Sequence, residues 1–153
     1  MNMFEHRVPP PVVALLLAAG MGWAAGWTSS WPWMAGLQLA LVGGMVGLGL
    51  LFDMSGLLAF VRRRTTVNPL RPERATALVT DGIYRFTRNP MYVGMCCVLL
   101  AWALYLWSPQ ALLGPAVFVA WITRFQIVPE ERVLEQVFGD EFRAYCARVR
   151  RWI

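Results

Sequence analysis

Residues 78–94, LVTDGIYRFTRNPMYVG, decide how this chain is read. They lie where a basic loop gives way to an apolar run. The stretch holds Arg85 and Arg88, Tyr84 and Tyr92, Gly82 and Gly94, and an Asn89-Pro90 step. Proline disfavours helix in the residue before it and suits the first helical turn, so a helix is expected to start at residue 90. Its first N–H groups lack intrahelical partners, and its positive dipole end falls beside Arg85 and Arg88. A polar or anionic ligand fits such a place. The plainer alternative is a loop whose arginines anchor a helix at a membrane surface.

Working outward, residues 91–128 are apolar but too long for one span, and Trp107-Ser108-Pro109-Gln110 interrupts them. Two antiparallel spans, about 90–107 and 110–127, are predicted, with Gly114-Pro115 loosening the start of the second. Upstream, residues 10–27 supply roughly eighteen helical residues, about 27 Å, enough to cross a bilayer. Residues 33–61 form a longer, tilted span. Between them, residues 28–32 make a turn with Trp27, Trp31 and Trp33 around it, as expected at a membrane interface. The fold class is therefore all-α and integral to the membrane: four transmembrane helices and a cytosolic amphipathic C-terminal helical segment. Residues 1–153 read as one domain.

Composition agrees. The chain is 58% hydrophobic and 15% charged, with eight tryptophans, more apolar surface than a soluble domain of 153 residues can hide. All fourteen basic residues are arginine and the formal net charge is +5. The arginines flank apolar segments, so they signal membrane orientation, not nucleic-acid binding. Seven fall in residues 62–88, including Arg62, Arg63 and Arg64, six follow Thr123, and the two far-side turns hold none. This asymmetry places the loop at 62–89, the helices at 130–150 and both termini in the cytosol of a multi-pass protein of the inner or plasma membrane. The first apolar run reads as a retained span, not a signal peptide. Cys96, Cys97 and Cys146 give no disulfide framework or metal spacing, and with His6 as the lone histidine no hydrolase triad can form. No metal is expected.

Two features of the second span stand out. Gly43-x-x-x-Gly47, with Gly44 and Gly49, reads as a surface for close helix packing. Asp53 is a carboxylate in an apolar run, where it is costly. It either pairs with Arg62–Arg64 or serves a substrate. After the fourth span, Pro129 is expected to end the helix. A short helix should follow to Phe138, with Gly139 as its C-cap, then Asp140 as N-cap of a helix through Val149. Apolar positions from Val133 to Trp152 recur at near-helical spacing. This segment either lies on the membrane or folds as a lid over residues 78–94. Glu130 and Glu131 sit at its root, and Arg124 lies six residues before Glu130. They are salt-bridge partners of the nearby arginines or members of a ligand site.

GIYRFTRNPMYVG, followed some forty residues later by PEERVLEQVFGDEFRAYCARVRRWI, resembles the isoprenylcysteine carboxyl methyltransferase and phospholipid methyltransferase family of integral membrane enzymes. The pattern of that family, G-x-Y-x-x-x-R-[HN]-P-x-Y-x-G, then a glutamate pair, then F-G-x-E-[YF]-x-x-Y, is met at Gly82, Tyr84, Arg88, Asn89, Pro90, Tyr92 and Gly94. It is met again at Glu130, Glu131, Phe138, Gly139, Glu141, Phe142 and Tyr145. The resemblance covers about the last ninety residues. It implies S-adenosylmethionine as methyl donor, bound on the cytosolic side, and a lipid or lipophilic small molecule entering from the bilayer. It assigns Gly82, Tyr84, Arg88, Asn89, Pro90, Tyr92, Gly94, Glu130, Glu131 and Tyr145 to the cofactor site. Arg124, with Glu131, is the implied catalytic pair, Arg124 lying near the acceptor. Asn89 stands where the prenylcysteine enzymes carry histidine.

The chemistry is compatible. Transfer from a sulfonium is an in-line displacement that needs approach and alignment, not a metal or covalent nucleophile. Arg88 and helix N–H groups suit a carboxylate, a glutamate suits an ammonium, and aromatic rings suit adenine and the sulfonium. A carboxylate acceptor needs only a cation such as Arg124, whereas a thiol or amine needs Asp53 or a glutamate as base. Two competing readings are a sterol-reductase-like NADPH enzyme and a non-catalytic module that binds anionic lipid.

Overall fold

A computed structural model describes residues 8–26, 35–63 and 77–153. The expected interfacial turn with Trp27, Trp31 and Trp33, the tail with His6 and Arg7, and the loop arginines Arg64, Arg71 and Arg74 lie outside the described residues. All the regular structure among them is helical: α1 (Pro10–Ala24), α2 (Ala35–Arg63), α3 (Pro90–Leu106), α4 (Leu113–Ile122) and α5 (Val128–Arg148). Short 3-10 turns at Gly82–Arg85 and Pro109–Leu112 precede α3 and α4. A π-helical segment, Thr123–Ile127, joins α4 to α5.

Prolines set the starts. Pro10 and Pro90 occupy the first turns of α1 and α3, where a missing N–H costs nothing. The break expected near Trp107 is present: Trp107 takes a left-handed conformation (φ 49°) and closes α3, its N–H bonded to Ala103 O. The carbonyls of Leu104 and Tyr105, left over at that end, accept hydrogen bonds from Gln38 Nε2 of α2, each 2.9 Å long.

Two stretches, Ala35–Arg62 and part of Pro109–Arg148, are long and apolar enough to cross a membrane. α1 and α3 are apolar helices of 15 and 17 residues. The outer face of α2 is bare apolar side chain: Leu51 is 61% exposed and Leu39 59%. An apolar face of that length suits lipid contact. The core lies among α1, α3 and α4 and is built on Met21, Leu99, Leu106, Phe118 and Ile122. Gly114 admits α4 to the Met21 side chain of α1, which a Cβ there would strike.

The packing of α2 on α3 departs from expectation. Gly43, Gly44 and Gly47 have nothing within 4 Å of a would-be Cβ, so the G-x-x-x-G motif faces away from the bundle. The contact is made by Gly49 and Gly56, seven residues apart. A Cβ at Gly49 would lie 2.9 Å from the carbonyl oxygen of Gly94, and one at Gly56 would lie 2.9 Å from Met91 Cγ. Asp53 lies between them. Its side chain lies against Gly94 of α3, where a Cβ would collide with it, and its Oδ1 is buried without a hydrogen-bond partner.

Pro129 does not end the fourth helix, which was expected to stop near residue 127. The chain stays helical through it, up to the break at Gly139. The reason lies just upstream. A proline in a helix loses one hydrogen bond and clashes with the carbonyl four residues back. The π-helical turn widens the ladder there, and Val128 N–H bonds to Thr123 O five residues back. As expected, a helix up to Phe138 and another from Asp140 meet at Gly139, whose non-helical conformation (φ 52°, ψ −121°) favours glycine and divides α5 in two.

Candidate functional site

Segment 77–89 carries the site. Gly82 supplies a left-handed φ of 60° where the chain enters the 3-10 turn. That turn buries Tyr84, whose ring meets Phe60 of α2 edge-on at 5.5 Å between centroids. α5 folds back onto the same segment. Phe142 and Tyr145 pack with Val79 and Tyr84, and Tyr145 Oη donates to the Tyr84 carbonyl at 2.7 Å. Burial holds both phenols well above their usual range, so both stay protonated and form an apolar wall.

Beyond this wall the charges meet. Arg88 Nη2 lies 2.9 Å from Glu131 Oε1, the two side chains being 13% and 18% exposed. Arg151 approaches the same carboxylate from the chain end, its Nε 3.1 Å from Oε1 and its Nη2 2.7 Å from Oε2. Arg88 Nε is buried and has no partner. Cys146 stands beside this arginine. Burial pushes its thiol up, and the guanidinium pulls it the other way.

Glu130 forms a second focus. Tyr92 Oη, from the first turn of α3, donates to its Oε1 at 2.9 Å, and Gln126 Nε2, from the π-helical segment, at 2.6 Å. Glu130 follows the apolar part of its helix. Burial raises its carboxyl to about 7, against the opposing pull of the Gln126 and Tyr92 hydrogen bonds.

Chain segment 149–153 closes the site. Arg88 N–H bonds to Arg150 O at 3.0 Å, and Asn89 Nδ2 to Arg151 O at 2.9 Å. Trp152 Nε1 donates to Thr123 Oγ1 at 3.0 Å. Asn89 is thus a strut between the start of α3 and the chain end, though it makes no side-chain cap on α3.

The structure brings Tyr84, Arg88, Asn89, Tyr92, Glu130, Glu131 and Tyr145 to one end of the bundle. Pro90 begins α3 there and is buried. Gly94 sits deeper, at the crossing of α2 and α3. Arg124 is exposed, its guanidinium 5.6 Å from the centre of the Phe125 ring. Sequence reasoning missed Gln126 and Arg151. The first had a usable signal: a glutamine inside an apolar run, four residues before Glu130 and so on the same helical face. No metal-binding cluster occurs among the described residues.

The sequence profile described as phospholipid methyltransferase matches residues 37–141, more than two thirds of the chain. The chain belongs to that family, and the resemblance read from its motifs is borne out. It is 30% identical over 105 residues to Protein-S-isoprenylcysteine O-methyltransferase B of Arabidopsis thaliana, covering 69% of this chain and 53% of that one. It is 40% identical over 79 residues to Protein-S-isoprenylcysteine O-methyltransferase of Schizosaccharomyces pombe, covering 47% and 30%. It is 37% identical over 73 residues to Methanethiol S-methyltransferase 1 of Bradyrhizobium diazoefficiens, covering 46% and 24%. The chain thus spans about half or less of the length of these relatives. No solved structure matches it.

Proposed function

We propose that the protein transfers a methyl group from S-adenosylmethionine to a lipophilic or small acceptor at the cytosolic face of a membrane. The observation that carries this reading is the Arg88–Glu131 pair, joined by Arg151 and set against the wall of Tyr84 and Tyr145. The residues fit the donor's amino-acid group. The buried, unpartnered Arg88 Nε–H wants an acceptor oxygen such as a carboxylate provides, and Glu131 offers a carboxylate to an ammonium. Bound S-adenosylmethionine supplies an electrophilic methyl on a sulfonium. The chain's part is to hold, orient and exclude water. Relatives named for O- and S-methylation support methyl transfer as the reaction class.

The acceptor side is assigned to Arg124, which is exposed on the helix that leads out of the bundle. There it faces a molecule arriving from the bilayer, while Arg88 and Glu131 face the donor. Arg124→Ala should bind the donor normally and turn over poorly, and Arg124→Lys should recover part, since a point charge replaces a planar fork. Isothermal titration of the detergent-purified protein tests the whole reading. Binding of S-adenosylmethionine and S-adenosylhomocysteine, with none of NADPH, is expected. Binding of NADPH alone would favour a reductase, and binding of neither a lipid-binding module.

A further inference from the structure

The chain end is a built part of the site. α5 stops at Arg148, and Val149 turns extended (φ −124°, ψ 132°). The short segment that follows crosses the start of α3. Its backbone is held by Arg88 N–H on Arg150 O and by Asn89 Nδ2 on Arg151 O, and Trp152 pins it to Thr123. None of these contacts uses the Arg151 guanidinium. That group is therefore not needed to seat the segment and can change partner while the backbone stays put.

Its present partner is overcommitted. Glu131 takes Arg88 on one oxygen and the Arg151 fork on both. The cluster sets two permanent cations against one carboxylate, while the Oε1 of neighbouring Glu130 accepts from Tyr92 and Gln126. Arg88 still has a buried Nε–H with no acceptor. An excess cation and an unmet N–H donor both call for one more carboxylate. Arg151 is the member able to move, being 38% exposed against 13% for Arg88 and 18% for Glu131.

We infer that Arg151 is a partner-exchange residue. It neutralises Glu131 in the free protein, then yields Glu131 to the ammonium of an α-amino-acid ligand and joins Arg88 on that ligand's carboxylate. The inference rests on the proposed S-adenosylmethionine site and adds to it a residue beyond the matched span 37–141. A planar guanidinium fork suits a carboxylate better than an ammonium does.

The test is titration of the full-length protein with S-adenosylmethionine and with its decarboxylated analogue, which keeps ammonium and sulfonium and lacks only the carboxylate. Arg151→Gln should weaken the first about ten- to a hundredfold and leave the second unchanged, and Arg151→Lys should recover part of the loss. Equal weakening of both ligands would mean that the side chain merely braces the fold and would overturn the inference. Tighter binding of both would make Arg151 a plug and overturn it too. Failure of the wild-type protein to bind either ligand would instead bring down the donor site on which the inference stands.

Discussion

At the residue scale, the pair Glu130–Glu131 divides its work. Glu131 is saturated by guanidinium groups, whereas Glu130 sits against Tyr92 and Gln126 with its carboxyl raised by burial from 4.5 to about 7. A raised carboxyl keeps its proton in the folded state after the unfolded chain has lost it. Folding stability therefore falls as pH rises from about 4.5 to about 7, and the loss is complete above that. Glu130→Gln removes the titration and keeps an acceptor oxygen for Tyr92. Thermal unfolding in detergent across that window should show the wild type losing more stability than the variant, and parallel curves would refute this account of Glu130. The motif pointed to this residue because it names a glutamate pair. It was silent on Arg151, which meets Glu131 across twenty residues by a reversal of the chain that no periodic spacing announces.

At the scale of elements, two local rules misled for physical reasons. Proline as a helix stop is a rule about a regular ladder, and the π-helical turn before Pro129 makes the ladder irregular. The G-x-x-x-G motif marks a face on which helices can approach, but which face is used depends on where the partner lies. Here α3 meets the face of Gly49 and Gly56. Gly94→Ala would press a Cβ into Asp53 and into the carbonyl of Gly49, 2.7 Å away, and should destabilise the protein by about 1–3 kcal/mol. Gly43→Ala meets open space and should be neutral or stabilising by up to about 1 kcal/mol. Denaturation of both variants in mixed micelles separates the two, and equal loss of stability would contradict the packing described. The helical class, the starts of α1 and α3 at proline and the kink at Gly139 were legible, because each follows from a backbone preference that neighbours do not override.

At the scale of the whole molecule, the arginine distribution predicts that the site faces the cytosol and that Ser108, in the turn after α3, faces the other side. Membrane-impermeant thiol reagents should label Ser108→Cys, made in a background lacking the native cysteines, from outside the cell, and labelling only after permeabilisation would reverse or reduce the proposed four-span arrangement. On the proposed reading, the donor would meet the cluster of Arg88, Glu131 and Arg151 at that end of the bundle. The central claim is that this cluster holds the methyl donor. Its most direct test is the affinity of S-adenosylhomocysteine for the wild type, Arg88→Ala and Glu131→Ala, measured by isothermal titration. The account predicts binding by the wild type and a loss of about ten- to a hundredfold in each variant. Wild-type affinity in both variants would contradict it and leave these charges a purely structural role.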